Sequence, residues 1–237
     1  MARLGVNIEP VAALRLLGQR SEANPVTAAI YAEVGGCDGI VCPLTENFQP
    51  VAEADLRLLR EMVRTHLNVC VPPEEKMIST ALSVSPDMIT LVPGQKAGGT
   101  AGRGLDIMGH VQEYNNRIQT IRHQGVVVNL LIEPEIHQIK AAAKAGSDFV
   151  ELHVGGYTSA EEHGERGDQL ENIRSLAMAA AKMGMGVSAG GGLNYQNVAE
   201  IAAIDKIEEI NMGHALCARG LWCGYENAVR DMIALVR

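Results

Sequence analysis

The sequence predicts a (β/α)8 barrel built as one domain over residues 1–237. Three observations carry this. Eight short apolar runs recur along the chain, helical patterns lie between most of them, and no GxGxxG follows the first run. A chain of 237 residues also matches the usual size of such a barrel, about 250 residues. Eight strands alternating with helices would also suit a doubly wound sheet; the count of eight and the missing dinucleotide fingerprint decide for the barrel.

The runs are Leu4–Ile8, Gly39–Cys42, Asn68–Val71, Met88–Val92, Val126–Ile132, Phe149–His153, Gly186–Ala189 and Glu208–Met212. They are rich in Val, Ile and Leu and bounded by Gly, Pro or Asn, as parallel strands covered on both faces should be. Asn24-Pro25 reads as an N-cap with Pro at the first helical position, and Gly35-Gly36 as the stop after Ala28–Val34. Ala52–Thr65 carries Leu56, Leu58, Leu59 and Met62 at helical spacing. Pro134–Ala145, Asp168–Met183, Tyr195–Ile204 and Tyr225–Val236 complete the predicted helices, two of them stopped by Gly146 and Gly184. His110, His123 and His137 fall on helical surfaces, and Glu161–Gly167 reads as a solvated loop.

Composition narrows the function. Apolar residues make up 47% and aromatics 3%, so small and aliphatic side chains are expected to fill the interior. A formal charge of −8 argues against nucleic acid or an anionic membrane as partner. No stretch approaches the roughly 18 apolar residues of a membrane span. Met1–Val6 enters a strand-like run with no signal-peptide core, and the five cysteines form no CxxC pair, so a cytoplasmic location is expected.

Several stretches resemble the pyridoxine 5′-phosphate synthase family, nearly end to end. They include Leu4–Ile8, Ala12–Arg15, Asn24-Pro25-Val26, Cys37–Ile40, Leu91-Val92-Pro93, Gly104-Leu105-Asp106 and Gln138–Ala143. Further on come Phe149–His153 with Gly155 and Tyr157, Ala189-Gly190, Gly192-Leu193 with Tyr195 and Asn197, and Asn211–Ala215. The Glu-x-His strand and the Gly-His-Ala element are specific in combination. The resemblance implies a barrel with an additional helix or two and dimer-based homo-oligomers, typically octamers. It implies no metal and no organic cofactor. The implied reaction condenses 1-deoxy-D-xylulose 5-phosphate with 3-amino-2-oxopropyl phosphate and closes a pyridine ring.

The departures are patterned. Where the family has Asp-His after the first-strand Asn, this chain has Glu9-Pro10. The family's His, Arg and second His after strand two fall at Pro43, Thr45 and Pro50. Its general-base Glu falls at Cys70, and its catalytic His between two glycines falls at Gly191. A phosphate-binding Thr falls at Ala101 beside Thr100, and an Arg falls at Gly18, two residues before Arg20. The residues that match the family's aminoketone-phosphate subsite and its carboxylate are Asn7, Glu151, Gly192, Gly213 and His214.

The residues also carry readings of their own. Ligands of a barrel sit at the C-terminal strand ends, with phosphate often on the loops after strands seven and eight. Gly190-Gly191-Gly192 and Gly213 occupy those loops, where glycine lets backbone N–H groups approach an anion; the plain alternative is a tight turn. Glu151 and His153 alternate on strand six and share its inward face. A carboxylate buried there is costly unless partnered, which favours a catalytic role over anchoring a loop. His214 either donates to phosphate or caps a helix, and Asn7 either holds an oxygen or caps the next turn. Cys70 is either a nucleophile or a small apolar filler; Cys42, at the corresponding end of strand two, is expected to face it. Gly94–Gly104 reads as a lid carrying Lys96 and Arg103 towards a phosphate, with Arg20 a further cation. Zinc ligation is not expected, since His66 precedes its strand.

Three functions fit. One is an enzyme of the vitamin B6 family with altered or greatly reduced ring closure, acting on a phosphorylated aminoketone or similar metabolite. The others are a different enzyme on the same scaffold and a non-catalytic phosphometabolite-binding paralogue.

Overall fold

A computed structural model describes residues 1–18, 22–94 and 104–237. Eight parallel strands close into a barrel in chain order. They are β1 (Arg3–Asn7), β2 (Gly39–Pro43), β3 (His66–Val71), β4 (Met88–Leu91), β5 (Val127–Ile132), β6 (Phe149–His153), β7 (Gly186–Gly190) and β8 (Glu209–Met212). The ring closes where β1 pairs with β8, Gly5 opposite Asn211. Each strand lies within one or two residues of its sequence-based expectation.

The helices among the described residues are α1 (Glu9–Gly18), α2 (Pro25–Gly35), α3 (Glu53–Met62), α4 (Glu75–Leu82), α5 (Val111–Arg122) and α6 (Ile136–Ala145). The set continues with α7 (Gly155–Ser159), α8 (His163–Lys182), α9 (Val198–Ala202), α10 (His214–Cys223) and α11 (Tyr225–Val236). The start of α2 follows the sequence. Asn24 Oδ1 accepts the Val26 N–H at 2.8 Å, and Gly36 ends the helix in the left-handed region at φ 96°. Three expectations fail at helix ends. Residues 163–167 are not a loop but the first turns of α8, α3 stops at Met62 because Val63 turns extended, and α9 starts at Val198 rather than Tyr195 because residues 195–197 form a turn.

Packing divides by strand parity. Leu4, Val6, Ile40, Leu67, Val69, Ile89, Val128, Leu130, Val150, Leu152, Val187 and Ile210 point outward and are buried beneath the helices. Burying each such side chain is worth about 1.5–3 kcal/mol, so the apolar core is the layer between sheet and helices. Small and aliphatic side chains fill that layer, as the composition predicts, while the barrel interior carries a polar belt. Asn68, Thr90, Asn129, Glu151, Ser188 and Asn211 meet there across β3 to β8.

Parity also corrects the expected pairing of thiols. Cys42 stands in register with Val69, whereas Cys70 stands in register with Pro43. Cys42 therefore lies on the outward face, fully buried, while Cys70 faces the interior. One residue of offset flips the side chain to the other face. Between α1 and α3, Arg15 forks onto Asp55 at 2.9 and 2.6 Å and reaches the Pro50 carbonyl at 3.0 Å. That pair ties α1 to α3 and to the segment between β2 and α3.

Candidate functional site

A cavity of about 680 Å³ opens at the C-terminal ends of the strands. Asn7, Cys70, Glu151, Gly190–Gly192, Gly213 and His214 all line it, joined by His153, Pro43, Thr45 and Asn211. Cys42 does not. Arg20, Lys96 and Arg103, with Thr100, Ala101 and most of the expected lid, lie outside the described residues. Among the described residues no lysine or arginine lines the cavity.

Glu151 is the cavity's acid, half-buried on β6 with its carboxyl turned into the barrel. Its Oε2 accepts from Asn211 Nδ2 at 2.8 Å and from Asn129 Nδ2 at 3.4 Å. Burial pushes its carboxyl up to about 7. The Asn211 and Asn129 donors pull the other way, and the charge of Glu209 adds to the rise. Asn129 also reaches Thr90 Oγ1 at 3.1 Å and Ser188 Oγ at 3.4 Å, and Thr90 donates to Asn68 Oδ1 at 2.8 Å. This belt continues through six strands and ends on one carboxyl. Glycines make the room. A Cβ at Gly5 would collide with the Asn211 amide, and one at Gly190 with Glu151 Oε1.

Asn129, Ser188 and Asn211 were not singled out as site residues from the sequence. The available signal was their position, two residues before the rim residues Leu131, Gly190 and Gly213 on the same face.

The glycine loops after β7 and β8 have this form. Gly191 and Gly192 take φ 107° and 74°, backbone that favours glycine. Gly213 precedes α10, and a Cβ there would collide with the Asn7 carbonyl oxygen. The first N–H groups of α10, beginning at the exposed His214, have no carbonyl partner within the helix, so this end is electropositive. Asn7 Oδ1 accepts the Glu9 N–H at 2.8 Å, so it caps the turn into α1 while also lining the cavity.

Burial, with the charge of Glu151 adding to it, raises the Cys70 thiol well above its ordinary range, so the group is neutral. A neutral thiol is a poor nucleophile. Among the described residues no group of three or more His, Cys, Asp or Glu is placed to hold a metal ion, and no helix is long and apolar enough to cross a membrane.

Fold and site together define a (β/α)8 barrel with a carboxyl-bearing cavity at its C-terminal rim. The chain belongs to the family described as pyridoxal phosphate biosynthesis protein PdxJ, whose profile matches residues 4–237. The pyridoxine 5′-phosphate synthase of Geotalea daltonii is 42% identical over 237 residues, covering 100% of this chain and 99% of that protein. The enzyme of the same name from Geobacter sulfurreducens is 42% identical with the same coverage. Among solved structures, KGPDC from Streptococcus mutans superposes with a TM-score of 0.68 at 13% identity, covering 100% of this chain and 97% of that one. At that identity the likeness is one of fold.

Proposed function

We propose that this chain binds a phosphorylated small metabolite of the aminoketone-phosphate kind at the C-terminal rim, with ring-closing activity altered or greatly reduced. The observation that carries the reading is that Gly190–Gly192, Gly213 and the start of α10 open on the same cavity as Glu151. An anion held by those N–H groups would set a ketone's carbon skeleton against the carboxyl. Arg20, Lys96 and Arg103 are proposed to supply positive charge. The family's proton-carrying positions fall at Pro43, Cys70 and Gly191, none of which ionises to suit the task, and this supports weakened ring closure. A dimer-based homo-oligomer belongs to the same reading, supported by Leu17 and Trp222, 84% and 89% exposed.

A thermal-shift titration tests the binding. Ligand stabilises the fold by RT ln(1 + [L]/Kd), about 2.7 kcal/mol at a hundred times Kd. Millimolar phosphate esters are expected to raise the melting temperature, with smaller shifts in variants of the glycine loops. No shift at millimolar ligand rejects the reading.

A further inference from the structure

We propose that His153, backed by Glu133, is the proton-transfer group of the rim cavity, acting at the carbon beside the carbonyl of a phosphorylated ketone. This rests on the phosphate reading above and adds the residue that would do chemistry there.

His153 ends β6 and lines the main cavity. Its side chain is 13% exposed, and it also borders a second cavity of about 310 Å³ on the side of Glu133, Gln169 and Asn172. Two glycines frame the ring. A Cβ at Gly155 would lie 2.5 Å from its Cε1, and one at Gly191 would lie 2.9 Å from Cδ2 and 3.0 Å from Nε2. Those separations are too short for real side chains, so the imidazole fills space that any residue larger than glycine would need. Gly191 is where the family resemblance implies a catalytic histidine. The imidazole that lies beside that backbone is His153 of the neighbouring strand, part of the Glu-x-His element that the resemblance shares.

The second ring nitrogen has a carboxylate behind it. His153 Nδ1 lies 3.6 Å from Glu133 Oε1, and the same oxygen accepts the Gly104 N–H at 2.6 Å. Glu133 is thereby fixed by backbone on one side and presented to the ring on the other. Among the described residues nothing hydrogen-bonds Nε2. A carboxylate at one ring nitrogen orients the imidazole and stabilises the imidazolium that forms when the other takes a proton. Such contacts are often long without ligand and shorten when it binds.

The step balances without any co-reactant. Nε2 takes a proton from the carbon, and the C–H electron pair moves onto the carbonyl as an enolate. The imidazolium then returns a proton to the same carbon. In D2O the imidazolium exchanges with solvent first, so deuterium enters the substrate.

The probe is dihydroxyacetone phosphate in D2O, with methylene exchange followed by proton NMR and binding followed by thermal shift. The unaltered protein is expected to catalyse saturable exchange. His153→Gln should lower the rate by about 10²–10⁴-fold with the thermal shift retained within about threefold. Millimolar imidazole should restore exchange to His153→Ala. Glu133→Gln should lower the saturated rate with half-saturation unchanged, and Glu133→Asp should recover part of it. Undiminished exchange in folded His153→Gln overturns the proposal, as does imidazole failing to rescue a folded, probe-binding His153→Ala. Binding by the unaltered protein without exchange rejects the proton transfer and leaves the phosphate reading intact. Neither binding nor exchange rejects both.

Discussion

Asn211 Nδ2 stands 2.8 Å from Glu151 Oε2, so an amide of β8 holds the carboxyl of β6 across the intervening strand. The donor favours the ionised acid, while burial favours the neutral one and prevails, leaving the group near 7. Asn211→Ala removes that donor. The Glu151 carboxyl is then expected to titrate higher than in the unaltered protein, measured by carbon-13 NMR of labelled glutamate. An unchanged or lower titration would show that the hydrogen bond does not act on the ionised form.

Glu151 also makes stability depend on pH. Its folded value of about 7 lies above the ordinary 4.5, so the folded state holds the proton more tightly than the unfolded one. The resulting contribution is complete below about 4.5 and is lost as pH rises through about 7. Glu151→Gln has no such proton to lose. Its stability relative to the unaltered protein should rise across that window, by up to roughly 3 kcal/mol. Urea denaturation from pH 4.5 to 8.5 reads this directly, and parallel curves for the two proteins would contradict it.

Gly213 packs against β1 with no space for a side chain. A Cβ there would collide with the Asn7 carbonyl and lie 3.1 Å from Pro10 Cδ. Both neighbours are backbone or ring atoms that cannot swing away. Gly213→Ala should cost about 1–3 kcal/mol of stability, as overpacking does. It should also weaken phosphate-ester binding, because the loop can accept the methyl only by moving away from Asn7. Chemical denaturation and thermal-shift titration measure the two effects separately.

The sequence made the strands legible because each is a short apolar run cut off by Gly, Pro or Asn. The rim residues followed from them, since a strand's end locates its loop. What stayed hidden depended on closure. Asn129 and Ser188 read as polar interruptions in apolar strands, Asn68 as a strand boundary and Asn211 as one of three polar residues in its run, and only the barrel joins them into one network with Glu151. The face of Cys42 is hidden in the sequence, because its distance from the strand end is plain there whereas its face depends on register with β3. α10 gave no apolar periodicity, having only Leu216 buried. The start of α8 is polar and contains Gly164 and Gly167, so its helical form comes from continuity with the buried turns beyond it rather than from local preference.

The last expectation concerns ring closure. Condensing a pentulose phosphate with an aminoketone phosphate needs several proton transfers, and each general acid or base contributes about 10²–10⁴-fold. The family resemblance assigns such groups to positions that here hold Pro43, Cys70 and Gly191. Two of these have no ionisable side chain, and burial keeps the third neutral. His153 would supply one proton carrier in place of three groups. Groups acting as a unit are not additive, so the loss is smaller than the product of the three, yet it should still amount to several powers of ten. The purified protein, given 1-deoxy-D-xylulose 5-phosphate and 3-amino-2-oxopropyl phosphate, is therefore expected to form little or no pyridoxine 5′-phosphate by mass spectrometry. The Geotalea daltonii enzyme, assayed alongside, provides the scale. Turnover matching that enzyme would mean that Glu151, His153 and His214 suffice for the full reaction, and that the replaced positions are not where the chemistry of this chain is done.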